Sequence, residues 1–186
     1  MRYRGIFLLS AIALAAVGCN HDGHDKGDEV IAERFIHKYG YDVPKDEWAA
    51  KTYPGKVITT HRNGVTVTTH YEDGHIHGQR TRTFPHSQTH EVVEDYQRGT
   101  LVKRMNYDVR GIPMSESNYL SPSHTKTTTW YGRGTPKATE EIINGKLAYA
   151  EYFDPSNTLE SKVENGTGIK TQRSSHGELI SRTYFD

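Results

Sequence analysis

From residue 57 onward, turn residues punctuate the chain at a nearly constant interval, and that interval constrains the fold more than any other feature. The turns centre near Gly64, Gly74, Ser87, Gly99, Gly111, Ser123, Gly134, Gly145, Ser156, Gly166 and Gly177, roughly 10 to 13 residues apart. Short stretches rich in Val, Thr, Tyr and Ile lie between them. Eleven turns predict about twelve short strands, and such spacing marks an all-β protein. Asn63-Gly64, Asp73-Gly74, Asn144-Gly145 and Asn165-Gly166 suit two-residue type I′ hairpin turns, whose two central residues both need positive φ.

Composition decides which all-β architecture to expect. Only 34% of the 186 residues are hydrophobic, and Tyr supplies twelve of them. That suits a thin, half-exposed sheet better than a thick two-layer core. A β-sandwich would need long crossovers between sheets, and no linker here has to be long. The expectation is an extended antiparallel meander. Cys19 is the only cysteine, so no intramolecular disulfide supports the fold.

A finer repeat sits inside the turn period. An aliphatic residue follows the turn glycine by two positions in Gly74-His75-Ile76, Gly99-Thr100-Leu101, Gly145-Lys146-Leu147 and Gly177-Glu178-Leu179. Tyr71, Tyr96 and Tyr131 each precede a turn glycine by three positions. Tight turns would set aromatic and aliphatic side by side on neighbouring strands. Asn144-Gly145-Lys146-Leu147, with Tyr71-Glu72-Asp73-Gly74-His75-Ile76 as a close variant, resembles the MORN-like repeat of the YwqK-type antitoxin family. The resemblance covers roughly residues 57–186 and degenerates around Phe84–Ser87, Leu120–Ser123 and Asp154–Asn157. It implies a long single-layer meander and carries no catalytic residues.

The N-terminal region reads differently. Basic Met1-Arg2-Tyr3-Arg4, apolar Gly5 to Val17 and then Gly18-Cys19 resemble a bacterial lipoprotein signal peptide. The resemblance implies cleavage after residue 18 and a covalent lipid on Cys19. The apolar run is too short to span a bilayer, which needs roughly 20 residues. Residues 19–27 read as a flexible polar tether. By the sorting rule of the enterobacterial lipoproteins that this leader resembles, Asn20, where a retention signal would place Asp, implies the outer rather than the inner membrane of the cell envelope. Residues 28–56 are expected to form a helical segment. One helix is predicted over Asp28–Tyr39, with Asp28 as N-cap, Ile31 and Phe35 one turn apart and Gly40 at its end. A short turn of helix over 44–50 would let Trp48 anchor onto the next segment of the chain.

Lys and Arg number 23 and so do Asp and Glu, with Arg2 and Arg4 lost if the leader is removed. That balance argues against nucleic acid, which calls for a basic surface. No Gly-x-Ser-x-Gly elbow, His-Glu-x-x-His or phosphate-binding Gly-Lys-Ser/Thr occurs, so no catalysis is expected. His21 and His24 with Asp22 and Asp25 offer a weak site for Zn²⁺, Ni²⁺ or Cu²⁺. A strict hairpin at Asp73-Gly74 would also set His70 opposite His77, which is half a zinc site. The Thr-rich stretches 66–69 and 125–129 fit strand propensity first.

Tyr96, Arg104, Tyr107, Tyr119, Tyr131, Tyr149 and Tyr152 form the candidate contact surface, since Tyr and Arg anchor protein interfaces. The functional expectation is a lipid-anchored, non-catalytic binding or scaffolding module with an unidentified protein partner. Immunity against a secreted toxin and weak metal binding are the alternatives. No cofactor beyond the Cys19 lipid is expected.

Overall fold

The computed structural model describes residues 26–186, so the leader, Cys19, His21 and His24 lie outside the described residues. After one 3₁₀ turn at Lys26–Asp28, strands β1 (Val30–His37) and β2 (Asp42–Val43) precede the short helix α1 (Lys45–Lys51). Twelve strands come next: β3 (Gly55–His61), β4 (Thr66–Glu72), β5 (His75–Thr83), β6 (His90–Gln97), β7 (Thr100–Tyr107) and β8 (Pro113–Ser121) make the first half. The second half is β9 (His124–Trp130), β10 (Pro136–Ile143), β11 (Lys146–Phe153), β12 (Leu159–Glu164), β13 (Thr167–Arg173) and β14 (Leu179–Phe185). All fourteen strands join one open antiparallel sheet in the order β14 to β3, then β1, then β2. The expected all-β meander is therefore present, and each of the eleven anticipated turns joins two consecutive strands.

Two kinds of turn alternate along the chain. Two-residue turns at Asp73-Gly74, Arg98-Gly99, Asn144-Gly145 and Asn165-Gly166 have positive φ at both residues, for example 51° and 74° at Asn144-Gly145. Between them lie wider turns closed by hydrogen bonds from His61 N–H to the Val65 carbonyl, Asp108 to Ile112, Tyr131 to Thr135, Asp154 to Thr158 and Ser174 to Glu178. The structural unit is thus a hairpin plus a wide turn, about 23 residues, with the two turn types on opposite ends of the strands. Asn63-Gly64 belongs to the wide class, contrary to the type I′ expectation. Only Gly64 of that pair has positive φ, and the Asn63 Oδ1 accepts a hydrogen bond from Val65 N–H at 3.1 Å, so the side chain mimics a backbone turn.

Nearly every hairpin also carries a bulge. Asp95 faces Lys103 while Tyr96 faces Leu101, and Glu141 faces Tyr149 while Ile142 faces Leu147. An unpaired extra residue sharpens the local right-handed twist. The anticipated aromatic–aliphatic pairs form at Tyr71 with Ile76 and at Tyr96 with Leu101.

Residues 28–39 correct the sequence reading. Val30–His37 of this segment form strand β1, which pairs with β3 from Val30 opposite His61 to His37 opposite Gly55. The spacing of Ile31 and Phe35 suited a helical turn, but four positions is also an even number and fits the two-residue period of a strand. With β-branched Val30, Ile31 and Ile36 available, pairing along β3 also satisfies the backbone groups of that strand's otherwise unpaired edge. Strands β1 and β2 therefore extend the sheet, while the short helix expected over 44–50 is present as α1. The only α-helix among the described residues is α1, with Pro44 just ahead of its first residue. Trp48 anchors it as expected. The indole lies 5.7 Å from the Phe35 ring, 6.3 Å from Tyr53 and edge-on to Tyr71 at 6.1 Å.

Packing is concentrated at the other end, where Ala150, Tyr152 and Val163 are buried and Ala138, Leu147 and Phe185 lie against them. Gly168 stands between Val163 and Phe185 in register. A Cβ on Gly168 would come within 2.2 Å of the Lys162 carbonyl oxygen. The bare position lets the Phe185 ring join the cluster, an aromatic covering a strand glycine.

Candidate functional site

Antiparallel register sorts the candidate residues onto two faces, because residues directly opposite share a face and neighbours along a strand alternate. One row crosses six strands: Lys103, Asn118, Lys126, Glu141, Tyr149 and Glu164 stand opposite one another in succession from β7 to β12. Lys126 Nζ donates to Glu141 Oε1 at 2.9 Å, and His124 Nε2 lies 3.3 Å from Glu141 Oε2. The Lys126 bond and then the His124 bond hold the Glu141 carboxyl below its ordinary range. Tyr149 is 44% exposed, and its hydroxyl donates to Asn165 Oδ1 at 2.7 Å, which holds the ring in one orientation. A shallow cleft of about 340 Å³ runs along this row, bordered also by Glu151 and Lys162.

The opposite face carries the buried cluster and a second polar row. Arg80, Glu94 and Arg104 are directly opposite across β5, β6 and β7. The Glu94 carboxylate is largely covered and lies 3.4 Å from Arg80 Nη1 and 3.7 Å from Arg104 Nε, and it accepts from the Tyr96 hydroxyl at 3.3 Å. One carboxylate between two guanidiniums is a satisfied arrangement; removing it would leave two like charges facing each other. Arg104 itself remains exposed, whereas Tyr96, Tyr107 and Tyr119 are half-buried.

Tyr131 and Tyr152 leave the expected contact surface. Tyr131 is 4% exposed at a wide turn and donates to the Phe153 carbonyl at 2.7 Å. Tyr152 is 3% exposed and donates to Glu140 Oε1 at 2.7 Å. Burial first, then that carboxylate, pushes the Tyr152 phenol far above its usual range. Tyr149 and Tyr152 are three apart on one strand, so they point to opposite sides of the sheet. The seven residues therefore do not make one patch.

His70 and His77 are likewise not paired. Thr69 faces Arg80 and Tyr71 faces Ile76, so three residues of β5 bulge opposite His70 alone. The His70 Nδ1 instead meets the Gln79 carbonyl at 2.7 Å. The His77 Nδ1 accepts from Arg98 N–H at 3.3 Å, while its Nε2 lies 3.5 Å from Glu72. Among the described residues no group of three or more His, Cys, Asp or Glu is placed to hold a metal ion. The Thr stretches also divide between faces: Thr128 Oγ1 meets Thr139 Oγ1 at 3.4 Å on one side, and Thr127 Oγ1 meets Ser117 Oγ at 3.0 Å on the other.

The row from Lys103 to Glu164 was not anticipated. Its signal was present in the turn spacing, but reading it needs the bulge positions as well. No protein-family model matches this chain, and no similar curated protein was found, so the functional argument rests on this geometry.

Proposed function

We infer that this chain is a non-catalytic binding or scaffolding module, carried on an open sheet and tethered to a membrane by a lipid on Cys19. The observation that supports this reading is the polar row Lys103–Asn118–Lys126–Glu141–Tyr149–Glu164, which crosses six strands with no second layer over it among the described residues. Regular strands hold these side chains at fixed spacing, so a partner meets a pre-ordered surface and little ordering entropy opposes contact. Tyr149 is the anchor: a large half-exposed ring already fixed by its hydroxyl. The mixed charges around it set register rather than bulk affinity.

The test is affinity capture of envelope and secreted proteins on the immobilised chain, wild type beside Tyr149→Ala with Lys126→Glu. A partner retained by the wild type and lost by the double variant supports the reading. A partner held equally by both overturns the choice of face. Fractionation tests the anchor: Cys19→Ser should move the protein from the membrane pellet to the soluble fraction, and a variant that stays in the pellet overturns the lipid assignment.

A further inference from the structure

Successive wide turns leave a cleft of about 610 Å³ between them at one end of the strands, away from the Tyr149 row. Volumes of roughly 300–1,000 Å³ are typical of small-ligand sites, which combine apolar walls with a few polar groups. Trp130 at the end of β9 lines it, as do Pro113 and Met114 of β8, Pro155 of the β11–β12 turn and His176 of the β13–β14 turn.

The charges lining this cleft are uneven. Asp108 borders it, but that carboxylate is fully engaged. Its Oδ1 accepts from the backbone N–H groups of Arg110 and Ile112 at 2.9 Å each, and its Oδ2 accepts from Arg110 Nε at 2.8 Å and Nη2 at 2.7 Å. The Arg110 Nη2 also donates to the Gly132 carbonyl at 3.0 Å and so ties two wide turns together. Asp108 and Arg110 cancel each other and serve the scaffold. Arg133, exposed at the tip of the β9–β10 turn, borders the same cleft and has no carboxylate partner among the described residues. The cleft thus offers the Trp130 ring and one unspent guanidinium.

We propose that this cleft binds a small planar anion, its aromatic ring stacked on Trp130 and its carboxylate, sulfonate or phosphate paired with Arg133. A Trp face gives a flat ring a large contact area. The planar guanidinium presents two parallel N–H donors to such an anionic group. A cation would meet Arg133 with no free carboxylate to offset it.

The probes are 2-naphthoate and its neutral isostere 2-naphthamide, measured on the full chain by equilibrium dialysis at low salt. The wild type should bind one naphthoate per chain, about tenfold more tightly than the amide, as expected for one charge-assisted pair. Arg133→Ala, an exposed turn position, should keep the wild-type circular dichroism and erase that preference. Trp130→Ala should weaken both probes about tenfold, and Trp48→Phe should change neither. Equal naphthoate binding by wild type and Arg133→Ala overturns the proposal. So does the absence of saturable naphthoate binding to the folded wild-type chain.

Discussion

Glu160→Gln tests how much of this thin sheet rests on one carboxylate. Glu160 occupies the bulge where β12 leaves register with β11, with a side chain 14% exposed. It accepts from Arg173 Nε at 2.8 Å and Nη2 at 2.9 Å, and from Arg182 Nη2 at 2.8 Å, so it links β12 to β13 and β14. The Arg173 bonds first, then the Arg182 bond, hold its carboxyl down at about 2 from an ordinary 4.5. A lowering of that size corresponds to about 3 kcal/mol. Solvent reaches Arg182, whose side chain is 47% exposed, and screening there reduces the expected loss to about 2 kcal/mol.

Glutamine keeps the shape and removes the charge. At pH 7 the variant should melt about 4–8 °C lower for a chain of this size. The sign of the pH dependence comes from the lowered folded value. The wild-type contribution is complete above the unfolded value of 4.5 and is lost as pH falls through about 2. Melts of both proteins followed by circular dichroism should therefore converge between pH 5 and pH 2. Equal melting temperatures at pH 7, or a gap that stays constant down to pH 2, would refute the reasoning.

Other outcomes rest on single positions. Trp48→Ala should cost about 2–3 kcal/mol in denaturant titration, because the half-buried indole is what seats α1 on Phe35 and Tyr71. Gly168→Ala should cost more than an ordinary surface change, about 2 kcal/mol or above, because the new methyl would meet the Lys162 carbonyl. Tyr131→Phe should cost about 1 kcal/mol through loss of the hydrogen bond to the Phe153 carbonyl. Arg98→Asn should raise stability by about 0.5 kcal/mol, since Arg98 sits at φ 47° in a two-residue turn that prefers Asn.

The turns and the strand count were legible because turn chemistry is local. Asp73-Gly74, Asn144-Gly145 and Asn165-Gly166 adopt positive φ at both residues, and even Asn63-Gly64, which takes the wider form, marks a place where the chain reverses. Twelve strands from residue 55 onward and the absence of a thick core among the described residues come from that spacing and from the scarcity of aliphatic residues. The seat of Trp48 was legible too, as a large apolar ring in a polar stretch.

Tertiary structure alone decided which face each side chain occupies. Facing depends on counting residues along a strand, and one bulge shifts the count without leaving a mark in composition. That is why His70 and His77 do not meet and why the row from Lys103 to Glu164 aligns; which face the cluster covers then decides that Tyr152 is buried and Tyr149 exposed. It also settled Asp28–Tyr39. A spacing of four fits helix and strand alike, and only β3, with an unpaired edge beside it, turned that segment into β1.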